Sequence, residues 1–237
     1  MQLWLCPIFA FLLGSIPFGL IIAKAKGIEI REHGSGNIGA TNVLRVIGKR
    51  YGFTCLFLDA LKGFIPVLIA VNLIQIAGRT IQMPLGFLDS WALVLPPAEA
   101  MKGQAVHVLT ALAAVLGHNY SPWVGFKGGK GIATSTGVLL ALMPFAVALL
   151  IIVFLLVFLV TRYVSLASIV AAAVLPMMTL WGSWHHGRIQ DGTWNVPLFL
   201  FSLLIAVLAI WKHRTNLQRL RAGTEHRFTR KAKTPHV

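Results

Sequence analysis

Acidic side chains are almost missing from this chain: seven Asp and Glu stand against 21 Lys and Arg in 237 residues. A site that holds Mg²⁺ through clustered carboxylates, as membrane alcohol phosphotransferases do, is therefore poorly supported, and neither a metal nor a cofactor is expected. There are two cysteines, and Cys6 and Cys55 fall near opposite ends of the first two apolar runs, too far apart for a disulfide. Charge is sparse too, at 12% of residues, while hydrophobic residues reach 57% and the mean hydropathy is +0.76. These values exclude an ordinary soluble domain and point to an integral membrane protein. The net charge of +14 does not indicate nucleic acid, because the basic residues lie between or after apolar runs and not along one soluble face.

The apolar runs predict an all-α, polytopic protein with seven transmembrane helices, forming one membrane-embedded domain over residues 1–237 with a flexible basic tail at 226–237. The first span is Leu3–Ala23, bent by Pro7 and Pro17, whose freed carbonyls neighbouring helices must satisfy. Lys24 and Lys26 follow this run instead of preceding it, the reverse of a secretory signal peptide, so it should stay as a span. Tyr51–Ala77 is the second span. A longer connection, 78–102, carries Pro84, Pro96 and Pro97 and leads to a short third span, Gly103–Gly117. As one helix, the apolar stretch Ile132–Thr161 would be about 45 Å long against a hydrocarbon core of about 30 Å. Pro144 near its middle predicts two short spans instead, 131–143 and 145–162. Leu166–Trp181 and Val196–Trp211 complete the seven. On this count 17 basic residues share one face and three (Arg79, Lys102, Arg188) the other, with Lys62 inside a span. The positive-inside rule then makes the basic face cytoplasmic, the N-terminus external and the C-terminus cytoplasmic, in a bacterial inner membrane.

Polar sequence is concentrated in three islands. The first, Gly34–Arg50, holds Ser35, Gly36, Asn37, Gly39, Thr41, Asn42 and Arg45, a composition suited to a backbone cradle for an anion flanked by positive charge. Its literal G-x-G-x-x-G is not a dinucleotide fingerprint, since a membrane span and not a strand precedes it. The second, Gly125–Thr134, contains Lys127, Gly128, Gly129, Lys130, Gly131 and Thr134. It lacks the spacing of a P-loop, but glycines, two lysines and a helix starting near Ile132 also suit an anion. The third runs from Lys212 to Glu225, with His213, Arg214, Asn216 and Arg219. All three fall on the same predicted face, as does Ser165. Asp59 and Lys62 share one helical face about 10 Å in from the first island, either as a functional pair or as a structural ion pair. His118 adjoins the second island, whereas His107 reads as a packed histidine.

These islands, G-S-G-N-x-G-A-T-N-x-x-R at 34–45, G-F-K-G-G-K-G-x-A-T at 125–134 and H-R-x-N-x-x-R-L-x-x-G-T-E at 213–225, resemble the three cytoplasmic motifs of the bacterial acyl-phosphate:glycerol-3-phosphate acyltransferase family (PlsY). Asp59-x-x-Lys62-Gly63 and Arg162-Tyr163-x-Ser165 also fit. The resemblance implies a seven-span enzyme that moves a fatty acyl group from acyl phosphate to the 1-hydroxyl of glycerol 3-phosphate, giving lysophosphatidic acid and inorganic phosphate. It implies a catalytic group of Ser35, Arg45, Lys130, His213 and Asn216. Substrate would be held by Gly36, Asn37, Gly39, Thr41, Asn42, Lys127, Gly128, Gly129, Gly131, Thr134, Ser165 and Arg214, with Asp59, Lys62, His118, Arg219 and Glu225 in support. Its partners would be the two substrates and membrane lipids, with no nucleic acid and a monomer sufficient. The one His-x4-Asp pair of the older glycerophosphate acyltransferases, His186 and Asp191, falls on the external face, leaving His213 or the substrate's own phosphate as the base. The rival readings are a transporter of an organic phosphate and a scaffold that binds anionic lipid.

Overall fold

A computed structural model describes residues 2–228. The first apolar run forms two helices, α1 (Gln2–Gly14) and α2 (Phe18–Lys24), with the break at Pro17. Pro7, the sixth residue of α1, does not interrupt the helix, which runs through it at the loss of one backbone hydrogen bond. Two freed carbonyls at the break find donors from elsewhere: Lys62 Nζ reaches the Ile16 carbonyl at 2.7 Å and the Ser121 hydroxyl reaches that of Ser15 at 2.6 Å. Trp123 Nε1 also donates to the Ser15 hydroxyl, at 2.8 Å. After a short α3 (Ala40–Val46) comes α4 (Lys49–Leu73), the longest helix, which continues through Pro66.

The fold is mostly helical but not wholly so. The expected second span stops at Leu73, and Ile74–Ile76 (β1) pairs in parallel with Leu93–Leu95 (β2), in the register Ile74 to Leu93 and Ile76 to Leu95. Asn72 at the end of α4 pins the connection, donating to the Met83 carbonyl at 3.1 Å and accepting from the Leu85 N–H at 2.7 Å. The remaining helices are α5 (Ala100–Asn119), α6 (Ile132–Leu142), α7 (Pro144–Thr161), α8 (Val164–His185), α9 (Val196–Lys212) and α10 (Arg214–Arg221). The chain breaks at Met143, before Pro144, as steric exclusion by proline requires. Among the described residues, five helical segments can each cross a membrane by length and composition, or six if the pair α9 and α10, bent by 53°, counts as one. The 11-residue α6 falls short of that length.

Helix α4 lies centrally, against α1, α3, α5 and α6. Small residues permit the close approaches that drive helix association in lipid, where apolar burial contributes little. A side chain at Gly137 of α6 would collide with the Ala60 carbonyl of α4, and one at Gly117 of α5 with the Phe11 carbonyl of α1. The core between them includes Ala10, Val67, Ala111, Val138 and Leu175. Outward-facing apolar residues are exposed, Val160 and Phe145 at 80%, as a lipid-facing surface requires.

Gly137→Ala should lower the thermal unfolding midpoint by about 2–10 °C, taking overpacking at roughly 1–3 kcal/mol. Gly182→Ala meets nothing within 4 Å and should leave the midpoint unchanged or slightly raised. Equal midpoints in a thermal shift assay would mean that α4 and α6 are not in close backbone contact.

Candidate active site

Residues from all three islands line one cavity of about 520 Å³. Ser35, Asn37, Gly39, Thr41, Asn42 and Arg45 come from the first, Lys130 and Gly131 from the second, and His213, Asn216 and Glu225 from the third. Ser165, at the start of α8, closes one side, and Asp59 and His118 reach it from α4 and α5.

The first island wraps around Asn42, which is 1% exposed. Its amide oxygen accepts from the Ser35 N–H at 2.9 Å, and its nitrogen donates to the carbonyls of Ile30 at 3.2 Å and His33 at 3.0 Å. Gly34 and Gly36 sit at φ +61° and +70°, left-handed conformations that glycine adopts without strain. Asn42 thus shapes the loop, while Ser35 and the first turn of α3 face the cavity. Arg45 lies 5.2 Å over the Phe228 ring, and its charge lowers the affinity of nearby Lys130 for its proton.

The second island folds back on the end of α5. The Gly128 N–H donates to the Asn119 carbonyl and the Gly129 N–H to that of His118, each at 3.2 Å. These two glycines therefore serve a close approach, since any side chain at Gly129 would strike the His118 ring, and their N–H groups are spent on α5. Lys127, Gly128, Gly129 and Thr134 lie outside the cavity lining; Gly131, Ile132 and Ala133 are within it, so the N-terminus of α6 faces the space. Arg31 steadies the loop by donating to the Lys127 carbonyl at 3.0 Å.

One carboxylate ties the parts together. Glu225 Oε1 accepts from the Ser165 hydroxyl at 2.8 Å and from Asn216 Nδ2 at 2.7 Å, and Oε2 accepts from Arg219 Nε at 3.0 Å. Asn216 Oδ1 in turn accepts from Lys130 Nζ. Burial works to raise the Glu225 carboxyl, but hydrogen bonds from Asn216, Ser165 and Arg219 outweigh it and hold it below the usual carboxylate range. Burial pushes the Lys130 ammonium down to about 8, Glu225 opposing and the Arg219 and Arg45 guanidiniums adding to the shift. His213, 3% exposed, has Nδ1 at 2.8 Å from the Ala209 carbonyl, so in the neutral ring Nε2 is left as an acceptor at the cavity. Arg214 points elsewhere, stacking 4.3 Å from the Trp211 ring.

Beneath the cavity, Asp59 and Lys62 pair at 2.7 Å, both 2% exposed, with His118 Nδ1 3.6 Å from the same carboxylate. Lys62 is the structural member, since it also holds the Ile16 carbonyl, whereas Asp59 and His118 border the cavity. Away from the polar end the wall is apolar: Phe53, Leu56, Phe154 and Phe158. Phe53 and Leu56 are 59% and 45% exposed, so this wall continues to the lipid-facing surface. His186 and Asp191 are not in the lining; Asp191 bonds the Thr193 hydroxyl instead. Among the described residues no group of three or more His, Cys, Asp or Glu side chains is placed to hold a metal.

Thermal unfolding separates the members of this network. Ser165→Ala removes one hydrogen bond and should cost about 1 kcal/mol, roughly 2–4 °C. Glu225→Ala strips the partner from three buried or half-buried donors and should cost about 3–5 kcal/mol, roughly 6–20 °C. Equal losses would mean that the carboxylate is not what joins α8 and α10.

Comparison with known proteins agrees with this geometry. A family model described as glycerol-3-phosphate acyltransferase matches residues 4–223. A glycerol-3-phosphate acyltransferase of Aquifex aeolicus is 44% identical over 221 residues, 93% of this chain and 96% of its own. That of Geobacter metallireducens is 47% identical over 219 residues, 92% of this chain and 94% of its own. The crystal structure of PlsY (YgiH), an integral membrane glycerol 3-phosphate acyltransferase, in its glycerol 3-phosphate form is 40% identical to this chain. It superposes with a TM-score of 0.76, covering 97% of this chain and 96% of that one. Its lysophosphatidic acid form is 41% identical, with a TM-score of 0.73 and the same coverage. With that agreement along nearly its whole length, this chain belongs to the glycerol-3-phosphate acyltransferase family and is an integral membrane protein of that fold.

Proposed function

We propose that the cavity transfers a fatty acyl group from acyl phosphate to the 1-hydroxyl of glycerol 3-phosphate, releasing lysophosphatidic acid and inorganic phosphate. The observation that carries this reading is the union of two surfaces in one space. A cationic end with Arg45, Lys130 and the α6 N-terminus suits two phosphate groups, and a wall of Phe53, Leu56, Phe154 and Phe158 suits an acyl chain arriving from lipid. The substrate hydroxyl oxygen attacks the acyl carbon. A new ester C–O bond forms, the acyl–phosphate C–O bond breaks, and the electron pair leaves with the phosphate. Lys130, held by Asn216, meets charge that grows on that departing phosphate. Arg45 clamps the phosphate of glycerol 3-phosphate, with Ser35 and Thr41 beside it. The hydroxyl proton passes to His213 Nε2 or to the phosphate of glycerol 3-phosphate itself.

The chain forms one domain acting as a monomer in a bacterial inner membrane, with the cavity on the cytoplasmic side. Seven crossings, counting the short α6 as one, give the external N-terminus and cytoplasmic C-terminus that the distribution of Lys and Arg favours.

The division of labour is testable by kinetics. A contact equal in ground and transition states governs KM, and one that strengthens in the transition state governs kcat. Arg45→Ala should raise the KM for glycerol 3-phosphate about ten-fold or more, taking one charge-assisted contact at roughly 1.5–3 kcal/mol. Lys130→Ala should mainly lower kcat. Steady-state rates with each substrate varied in turn check both, and the reverse pattern would exchange the two phosphate positions.

A further inference from the structure

Arg45 enters the acyltransfer cavity without a polar partner. Among the described residues, arginine side-chain hydrogen bonds are made by Arg31, Arg79, Arg214 and Arg219 and none by Arg45, and the Glu225 carboxylate pairs with Arg219. What touches the Arg45 guanidinium is a ring: its central carbon lies 5.2 Å from the centre of the Phe228 ring, which lines the same cavity. Attraction to an aromatic face engages the positive charge and consumes no hydrogen-bond acceptor, so the planar fork of N–H donors stays available for a phosphate. A long side chain with no anchor must give up its rotamer freedom on binding, whereas one already held by a ring has less to lose.

Phe228 is itself fixed from several sides. Its N–H donates to the Arg162 carbonyl at 3.0 Å, and Arg162 is the residue that caps the end of α7. Its ring meets Phe158 of α7 edge-on, with centroids 5.7 Å apart and planes at 76°, and Phe158 stacks on Phe154 at 6.1 Å. The preceding Arg227 lies 5.9 Å over the Tyr163 ring, and Glu225, earlier in the same segment, is bonded to Ser165, Asn216 and Arg219. A row of rings, Phe154, Phe158 and Phe228, therefore runs from the apolar wall to Arg45. The first island supplies the arginine, and a segment far along the chain supplies the surface that orients it.

We propose that Phe228 is a positioning residue for the acceptor substrate: its ring holds the Arg45 guanidinium in the orientation that meets the phosphate of glycerol 3-phosphate. The inference rests on the reading of Arg45 as the clamp for that phosphate. A ring that only sealed the cavity from solvent would serve both substrates alike, whereas one that orients Arg45 serves the acceptor. Its contact with Arg45 is the same in ground and transition states, so its effect belongs in KM and not in kcat.

The test uses the full-length protein in detergent, with steady-state rates for the native protein, Phe228→Leu, Phe228→Tyr, Arg45→Ala and the double variant of Arg45→Ala with Phe228→Leu. Phe228→Leu keeps an apolar contact for Phe158 and removes the ring. It should raise the KM for glycerol 3-phosphate about three- to ten-fold, with kcat and the KM for acyl phosphate within about two-fold of native. Phe228→Tyr keeps the ring and should hold the KM within about two-fold of native. In the Arg45→Ala background, Phe228→Leu should change the KM no further, since the group it positions is gone. An equal rise with and without Arg45, a rise in the KM for both substrates, or Phe228→Tyr behaving like Phe228→Leu would overturn the proposal. Failure of the two readings is distinguishable: if Arg45→Ala raises the KM and Phe228→Leu does not, the positioning role alone falls, and if Arg45→Ala leaves the KM unchanged, the clamp falls and the positioning role with it. Phe228→Met takes the place of Phe228→Leu if thermal unfolding shows that the latter does not fold.

Discussion

The acyltransfer cavity depends on one buried carboxylate. Arg45, Lys130 and Arg219 gather around it, and in a low-dielectric site at the membrane edge such a cluster would repel itself apart. Glu225 offsets that repulsion while making three hydrogen bonds, to Ser165 at the start of α8 and to Asn216 and Arg219 of α10. Through Asn216 the arrangement extends to Lys130 on the loop before α6. The 53° bend between α9 and α10 then has a consequence: it turns His213 and Asn216 into the cavity while α9 stays in contact with α5 and α8.

A second constraint comes from the bilayer, where every interrupted helix must find partners for its freed backbone groups. The α1–α2 break finds them in Lys62 and Ser121. Lys62 can serve there because Asp59 compensates its charge, so the ion pair and the broken helix stabilise one another. His118 joins the same carboxylate and packs under Gly129, linking this buried cluster to the loop that carries Lys130. Family membership favours acyl transfer over the transporter and scaffold readings, neither of which accounts for a polar chamber that continues into a lipid-facing apolar wall.

Much of this was legible in the residues. The three islands stand out because glycine, asparagine and lysine are rare in apolar sequence, and the breaks at Pro17 and Pro144 follow from steric exclusion by proline. Other features depend on tertiary neighbours. Nothing local distinguishes Phe53 or Phe154, at the cavity, from the other apolar residues of their helices, and Phe228 and Arg31 act across the fold. The parallel pair β1–β2 is three residues a side and the connection between its strands is pinned by Asn72, so an apolar run alone reads as more helix. Gly128 and Gly129 suggested an anion cradle, yet glycine equally permits a loop to lie against the end of a helix, and here their N–H groups close onto α5.

The central claim, that Glu225 sets the electrostatics of the cavity through Lys130, is tested most directly by titrating that lysine. The rate at which an amine-directed acylating reagent labels Lys130, followed by peptide mass spectrometry against pH, reports the deprotonated fraction. Labelling should rise through a midpoint near the value of about 8 that burial imposes, well below the ordinary 10.5 of lysine. In Glu225→Gln the anion that favours the charged ammonium is gone while Arg45 and Arg219 remain, so the midpoint should move to lower pH. A midpoint at the ordinary lysine value, or one that Glu225→Gln leaves in place, would contradict the account.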